Sequence, residues 1–161
     1  MSSGQRYGKR RLKGFDYSSA NAYFITTNIR RGFIRLGHIV KGEMFLNENG
    51  EIVSHCWHDL ANHYQMIELD EFVVMPDHVH GIVFLLEPPN DVRKYSLSTI
   101  VGSFKSYSAR RINERLNRVG IPIWQTSFYD RIIRDENELE KFRKYIRTNP
   151  LRWSLSRDGM G

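Results

Sequence analysis

The sequence predicts an α+β domain with a ferredoxin-like βαββαβ core, a central antiparallel sheet, an inserted β-hairpin and an additional C-terminal helix. Two observations lead to this prediction. Strand-like and helix-like patterns follow each other in the order strand, helix, strand, strand, helix, strand, helix. The chain has 161 residues, 40% of them hydrophobic and 26% charged, which is ordinary for one globular domain. We therefore treat residues 1–161 as a single domain.

The chain is basic, with 24 Lys and Arg against 18 Asp and Glu and a formal net charge of +6. Such an excess is expected of a protein that binds polyanions, although a merely basic protein can also have it. Five of the cations lie within residues 1–14, which we expect to form a flexible basic arm. The single cysteine, Cys56, excludes an internal disulfide and favours a cytoplasmic protein, and no apolar run predicts secretion or a membrane span.

The first half of the chain predicts a strand, a small β meander and a short helix. Residues 22–29 are rich in β-branched and aromatic residues and form the predicted first strand. Two apolar runs follow, separated by Lys41-Gly42 and by the Asn-Gly pair in residues 47–50, and Asn-Gly favours a primed turn. Residues 57–64 carry apolar side chains at helical spacing and predict the first helix.

The second half of the chain predicts a hairpin, a helix, a strand and a final helix, each delimited by turn or capping residues. These elements are a hairpin of residues 68–75 and 78–86 around Pro76-Asp77, a helix from Ser96 or Ser98 to about Arg118, a strand over residues 123–133, and a helix that Asp135 caps and Pro150 ends.

His78 and His80 begin a strand that is apolar on both faces, and both point to the face of Ile82 and Phe84 if the chain is extended. An imidazole buried there costs free energy unless its nitrogens have partners. The two residues are therefore either hydrogen-bonded structural histidines or ligands of a divalent metal, and the pattern leaves both interpretations open. Gly81 is typical of a position that another backbone or a ligand approaches closely.

The final helix has a narrow apolar stripe formed by Leu139, Phe142 and Ile146. Tyr145 and Asn149 lie together on its flank, because residues four apart are neighbours on a helix surface. Such a pair can present a phenol and an amide oxygen to one point. A plainer interpretation also stays open, in which Tyr145 widens the apolar stripe and Asn149 caps the helix.

These segments resemble a known family. MPDHVHGIVF, residues 75–84, is similar to the HUH motif (histidine, hydrophobic residue, histidine) of single-tyrosine transposases. Residues 123–150 resemble the C-terminal signature of REP-associated tyrosine transposases, with its Trp-Gln, aromatic-Asp-Arg and Tyr-Ile-x-x-Asn-Pro blocks. Many relatives have Asn where Asp77 stands. Insertion-sequence relatives carry Gln at the position of Asn149, so this residue points to the REP-associated branch.

The resemblance implies an enzyme that cuts and rejoins single-stranded DNA. His78, His80 and the amide oxygen of Asn149 would hold a divalent metal, Mg²⁺ or Mn²⁺, which polarises the scissile phosphate. Tyr145 would attack this phosphate and give a 5′-phosphotyrosine and a free 3′-OH. A DNA-binding protein of the same fold without catalysis, and a metal-dependent RNase without a covalent intermediate, are the alternatives.

The implied partner is single-stranded DNA beside a REP-like hairpin, bound by a monomer or by a homodimer that exchanges its tyrosine helices. Cations would contact phosphates and exposed aromatic rings would stack on bases. The predicted DNA-binding residues are Lys9, Arg10, Arg11 and Lys13 of the arm, Lys105, Arg110, Arg111 and Arg115 of the long helix, and Trp124, Arg131, Arg134, Lys144 and Trp153 of the C-terminal third.

Overall fold

The computed structural model describes residues 21–32 and 34–160, with side chains up to residue 156. The predicted basic arm, with Lys9, Arg10, Arg11 and Lys13, lies outside these residues. In chain order the elements are β1 (Asn21–Asn28), β2 (Gly37–Val40), β3 (Glu43–Leu46), α1 (Glu48–His63), β4 (Ile67–Val74), β5 (His78–Leu85), α2 (Leu97–Arg115), β6 (Tyr129–Ile133) and α3 (Glu136–Met160).

A four-stranded sheet in the order β4-β5-β1-β6 forms the centre of the fold. Each neighbouring pair in it is antiparallel, and β2 pairs only with β3 in a separate hairpin. This is the predicted ferredoxin-like core with its inserted hairpin and additional C-terminal helix, so the predicted fold class is confirmed. None of the described helices is long and apolar enough to cross a membrane.

The sheet separates two apolar clusters. On one face Ile25, Val79 and Val83 pack with residues of α1 and α2. On the other face Ile82 and Phe84 pack with residues of α3. Alternate residues of β5 therefore face opposite layers, as predicted, and the face of His78 and His80 is the one that α3 covers.

The first helix begins at Glu48 and not near Trp57, so the predicted primed turn at the Asn-Gly pair of residues 49–50 is wrong. The side chain of Asn47 accepts a hydrogen bond from the Gly50 N–H at 2.9 Å and caps the helix. A Cβ atom at residue 50 would lie 2.1 Å from the carbonyl oxygen of Leu36, so glycine allows the helix to approach this loop. The primed turn is at Lys41-Gly42, whose φ angles are 51° and 80°.

The last strand is shorter than predicted. Residues 129–133 pair with β1, whereas Trp124 makes only an isolated bridge with Ile29. The indole of Trp124 is 6% exposed and its N–H donates to the Ser108 hydroxyl at 2.9 Å. The Gln125 N–H donates to the Asn28 carbonyl oxygen at 2.8 Å, so the chain still follows β1 here, and the pairing is interrupted between Gln125 and Tyr129.

Pro150 does not end the last helix, contrary to the prediction, and α3 continues to Met160. A proline inside a helix removes one backbone donor and disturbs the preceding turn. The second half of α3 is held in place by the β2–β3 hairpin, because the Gly42 N–H donates to the Ser154 hydroxyl at 2.9 Å and Leu151 packs against Gly42. These contacts explain why the helix continues past the proline.

Gly81 is required by the packing of α1 and not by a ligand. A Cβ atom at this position would lie 2.6 Å from the ring of Trp57, which is almost fully buried. We therefore expect Gly81→Ala to lower the free energy of unfolding by about 1–3 kcal/mol, as overpacking does. Urea denaturation of both proteins measures this difference.

Gly102→Ala is the matched control, because residue 102 lies on the exposed side of α2 and no atom stands within 4 Å of an added Cβ. Alanine inside a helix is preferred to glycine, so this change should raise the free energy of unfolding by about 0.5–1 kcal/mol. Equal effects of the two substitutions would contradict the assigned role of Gly81.

Candidate active site

The side chains of His78 and His80 converge at the start of β5. Their Nε2 atoms lie 3.1 Å apart. Each Nδ1 atom has its own partner, Asp77 Oδ1 at 2.7 Å from His78 and Thr26 Oγ1 at 2.8 Å from His80. The Nδ1 partners fix the rings, so both Nε2 atoms face one point in front of the sheet.

Burial keeps the imidazole of His80 neutral. Desolvation, and secondarily the charge of His78, lower the pKa of His80 to about 3. The hydrogen bond from His78 is the largest cause that lowers the pKa of Asp77, and Arg35 lies 3.6 Å from the same carboxylate. An ionised Asp77 accepts the Nδ1–H of His78, so His78 Nε2 carries a lone pair, which lies within hydrogen-bond distance of His80 Nε2.

Helix α3 places Tyr145 beside His80. The two rings are 5.3 Å apart between centroids and meet edge to face. Phe24 of β1 lies against both, 5.3 Å from the His80 ring and 5.8 Å from the Tyr145 ring. Trp153, two turns further along α3, has its ring 6.2 Å from that of His78. Tyr145 is 38% exposed, so part of the residue is open to solvent.

Asn149 lies one turn after Tyr145 and is 8% exposed. Its Nδ2 atom donates to the carbonyl oxygen of Tyr145 at 3.2 Å. With the amide nitrogen directed at its own helix, the Oδ1 atom is turned toward another partner. The structure thus brings both histidines and Tyr145 together and buries the Asn149 amide on the same helix.

Two ion pairs that the sequence did not predict fix α3 on the sheet. Arg143 donates to both oxygens of Asp70, at 2.7 and 2.8 Å, and both side chains are only 14% exposed. Arg147 meets Glu71 at 3.2 Å. The two acids lie where the register of β4 and β5 shifts, and such a bulge changes the direction of neighbouring side chains. No local sequence signal pairs these residues, because they belong to distant segments.

A metal at this site would need ligands beyond the imidazoles. Within the described part of the chain, no three His, Cys, Asp or Glu side chains gather at one point. The separation of the two Nε2 atoms is nonetheless that of adjacent ligands around an octahedral ion, about 3 Å for bonds of about 2.1 Å. The donor set therefore fits a divalent ion if an amide oxygen or water completes the site.

Three of the predicted DNA-binding residues make hydrogen bonds to other parts of the protein instead. The ammonium of Lys105 donates to the carbonyl of Gln125 at 2.6 Å and to the next two carbonyls, and burial lowers its pKa. Arg115 binds Glu48 and Asn49 at the start of α1. The indole of Trp124 is buried, as described above, and cannot stack on a base in this conformation.

The other predicted contacts in the described part of the chain lie at or near the surface. Arg110 lies over the Tyr107 ring, with its guanidinium carbon 5.0 Å from the centroid. Arg131 donates to the Tyr129 hydroxyl at 3.3 Å on the edge strand. Arg111, Arg134 and Lys144 are exposed, and Trp153 is half-buried beside His78.

A family model described as "Transposase IS200 like" matches residues 38–149, more than half of the chain. The chain belongs to this family of IS200-like transposases. The matched segment contains both histidines, Tyr145 and Asn149. The resemblance to tyrosine transposases seen in the sequence is thereby confirmed at the level of the family.

The chain is also similar to individual proteins. It is 32% identical over 161 aligned residues to an uncharacterized protein of Haemophilus influenzae, covering 89% of this chain and 87% of the relative. The structure of a REP-associated tyrosine transposase bound to a REP hairpin has a TM-score of 0.60 and 22% identity, covering 82% of this chain and 67% of that one. A candidate transposase from Deinococcus radiodurans R1 has a TM-score of 0.51 and 19% identity, covering 83% and 92%. These two structures show a shared fold.

Proposed function

We propose that this protein is a metal-dependent single-stranded DNA endonuclease and strand transferase that works through a covalent 5′-phosphotyrosine. One observation carries the proposal: two imidazole Nε2 atoms 3.1 Å apart lie beside an exposed phenol, in a chain of a transposase family. A purely structural histidine pair has no use for an exposed Tyr145 at its side. The competing function, DNA binding without catalysis, predicts no cleavage with any metal.

His78, His80 and the Asn149 oxygen would hold Mg²⁺ or Mn²⁺. When bound, the ion would supply charge to polarise a scissile phosphate. Nitrogen donors favour Mn²⁺ somewhat over Mg²⁺. Thr26 and Asp77 would keep the two rings oriented toward the ion.

Tyr145 would be the nucleophile. Its phenolic oxygen gives up its proton and forms a bond to phosphorus, the bond between phosphorus and the 3′ oxygen breaks, and the 3′ oxygen takes up a proton, so that none is gained or lost overall. The downstream strand remains attached to the protein through its 5′ phosphate. The reverse step, with a different 3′-OH as attacking group, would transfer the strand.

The substrate we propose is single-stranded DNA next to a hairpin. The structural neighbour was bound to a REP hairpin, and this chain presents exposed cations at Arg110, Arg131, Arg134 and Lys144. We propose that one chain builds its own active site, because α3 follows β6 after two residues and its ion pairs to β4 join it to its own sheet. A homodimer with exchanged helices would have to form the same pairs between its two subunits.

The test is incubation of the protein and Mg²⁺ or Mn²⁺ with a hairpin oligonucleotide labelled at its 3′ end. We expect a labelled protein band that survives denaturation and disappears with EDTA, and none with an oligonucleotide whose hairpin is scrambled. A 5′ label should appear only on a free fragment. Cleavage without an adduct would indicate a hydrolytic nuclease, and binding without cleavage would support the non-catalytic alternative.

Thr26→Val tests whether the hydrogen bond between the Thr26 hydroxyl and His80 Nδ1 orients this ring for metal binding. The substitution keeps the side-chain shape and removes the hydroxyl 2.8 Å from Nδ1, so the ring loses its fixed orientation. We expect the affinity for Mn²⁺ to fall by about 10–100-fold, as is typical for outer partners of ligating histidines. Isothermal titration calorimetry with Mn²⁺ measures this change.

Thr27→Val is the matched control, one residue along and facing the other layer. The Thr27 hydroxyl is buried and has no hydrogen-bond partner among the residues that the structure describes. Its removal should leave Mn²⁺ affinity unchanged and stabilise the fold by up to about 1 kcal/mol. Unchanged Mn²⁺ affinity in the Thr26 variant would show that this hydroxyl does not orient a ligand.

A further inference from the structure

Arg152 lies over the ring of Tyr145. Its guanidinium carbon is 4.5 Å from the ring centroid, which is the geometry of a cation–π contact. The two residues are seven positions apart, on the same side of α3. The contact exists only because the helix continues past Pro150.

The hydroxyl of Thr148 fixes the direction of this guanidinium. It donates to the carbonyl oxygen of Lys144 at 2.8 Å, which leaves its lone pairs to accept. Arg152 donates to it from Nε at 3.2 Å and from Nη2 at 2.7 Å. These two donors lie along one edge of the guanidinium, so Nη1 is directed away from Thr148.

The surroundings of the Arg152 guanidinium differ from those of the other arginines on this face of the molecule. Arg143 and Arg147 are each paired with a carboxylate of β4. Among the described residues no carboxylate forms an ion pair with Arg152, and its side chain is exposed. A fixed cation beside the proposed nucleophile, with donors not engaged by Thr148, is suited to an anionic oxygen of DNA.

We propose that Arg152 is a catalytic residue that donates from Nη1 to a non-bridging oxygen of the scissile phosphate while its face holds the ring of Tyr145. This inference rests on the proposed function of Tyr145. During attack the phenol gives up its proton, the phosphorus gains a bond to the phenolic oxygen and loses its bond to the 3′ oxygen, and the 3′ oxygen takes up a proton. Arg152 keeps its protons throughout and stabilises the charge that accumulates on the phosphate oxygens.

The experiment compares Arg152→Ala, Arg152→Lys and Thr148→Val in single-turnover adduct formation with hairpin DNA at saturating protein. Arg152→Ala should lower the rate constant by about 10²-fold, the usual cost of one such donor, with DNA affinity changed far less. Lysine should restore part of the rate. Guanidinium ions added to Arg152→Ala should also restore part of it, which a purely structural role would not allow.

Arg93→Ala is the matched control, since its guanidinium lies 5.1 Å from the ring of Tyr95 and beside Leu86, at the end of β5 opposite His78. It should react at the wild-type rate. Thr148→Val keeps the charge of Arg152 but removes the hydroxyl that fixes the direction of its guanidinium. It should lower the rate constant less than Arg152→Ala. Thermal melting checks that each variant is folded.

The possible failures are distinct. If wild-type protein forms no adduct, the proposed function of Tyr145 fails. If wild-type protein forms the adduct and Arg152→Ala forms it equally fast, the role of Arg152 is overturned. A defect of Arg152→Ala that is confined to DNA affinity, and that guanidinium does not relieve, also overturns it.

Discussion

Tyr145→Phe protein is expected to bind hairpin DNA with nearly unchanged affinity and to form no covalent adduct. The substitution removes one oxygen and keeps the ring, so the contacts with Phe24 and His80 persist and the fold should be unaffected. Without the oxygen there is no atom to form the bond to phosphorus. Denaturing gels with 3′-labelled DNA measure the adduct, and fluorescence anisotropy measures the affinity.

Tyr107→Phe is the control for this experiment. Tyr107 is 41% exposed, similar to Tyr145, but it lies on α2, beyond the other face of the sheet. The Tyr107→Phe protein should form as much covalent adduct as the wild type. An adduct that persists in Tyr145→Phe would disprove the nucleophile, and cleavage that persists without an adduct would point to direct hydrolysis.

His78→Ala should abolish metal-dependent cleavage and leave most DNA binding. It removes one of the two Nε2 donors that lie 3.1 Å apart, and a two-nitrogen site cannot keep its affinity with one of them. His78 is the better choice than His80, because His80 is 5% exposed and stacks on Phe24, so its loss would also disturb the core. We expect the affinity for Mn²⁺ to fall by more than about 100-fold, beyond the effect of an outer partner.

His55→Ala, on the exposed side of α1, controls for nonspecific binding of Mn²⁺ by surface histidines. It should bind Mn²⁺ and cleave DNA like the wild type. If His78→Ala also bound Mn²⁺ like the wild type, the pair would be a structural hydrogen bond, the interpretation that the sequence pattern left open.

Local patterns were sufficient for the architecture. The order of strand-like and helix-like segments predicts the ferredoxin-like core because period and turn residues act over a few neighbours. The common face of His78 and His80 follows from the alternation of side chains along a strand. The errors occurred where a local signal had two meanings: the Asn-Gly pair of residues 49–50 belongs to a capped helix, and Pro150 lies inside one.

By itself, the sequence determined the element order, the face of the two histidines and the family resemblance. The tertiary structure alone decided that Tyr145 lies against His80, that Trp124 is buried, that Arg143 pairs with Asp70 and that Arg152 covers the ring of Tyr145. Each of these depends on contacts that hold a helix against another layer of the fold or past a proline. Such contacts join residues far apart in the chain, and neither periodicity nor capping residues specify which distant partners will meet.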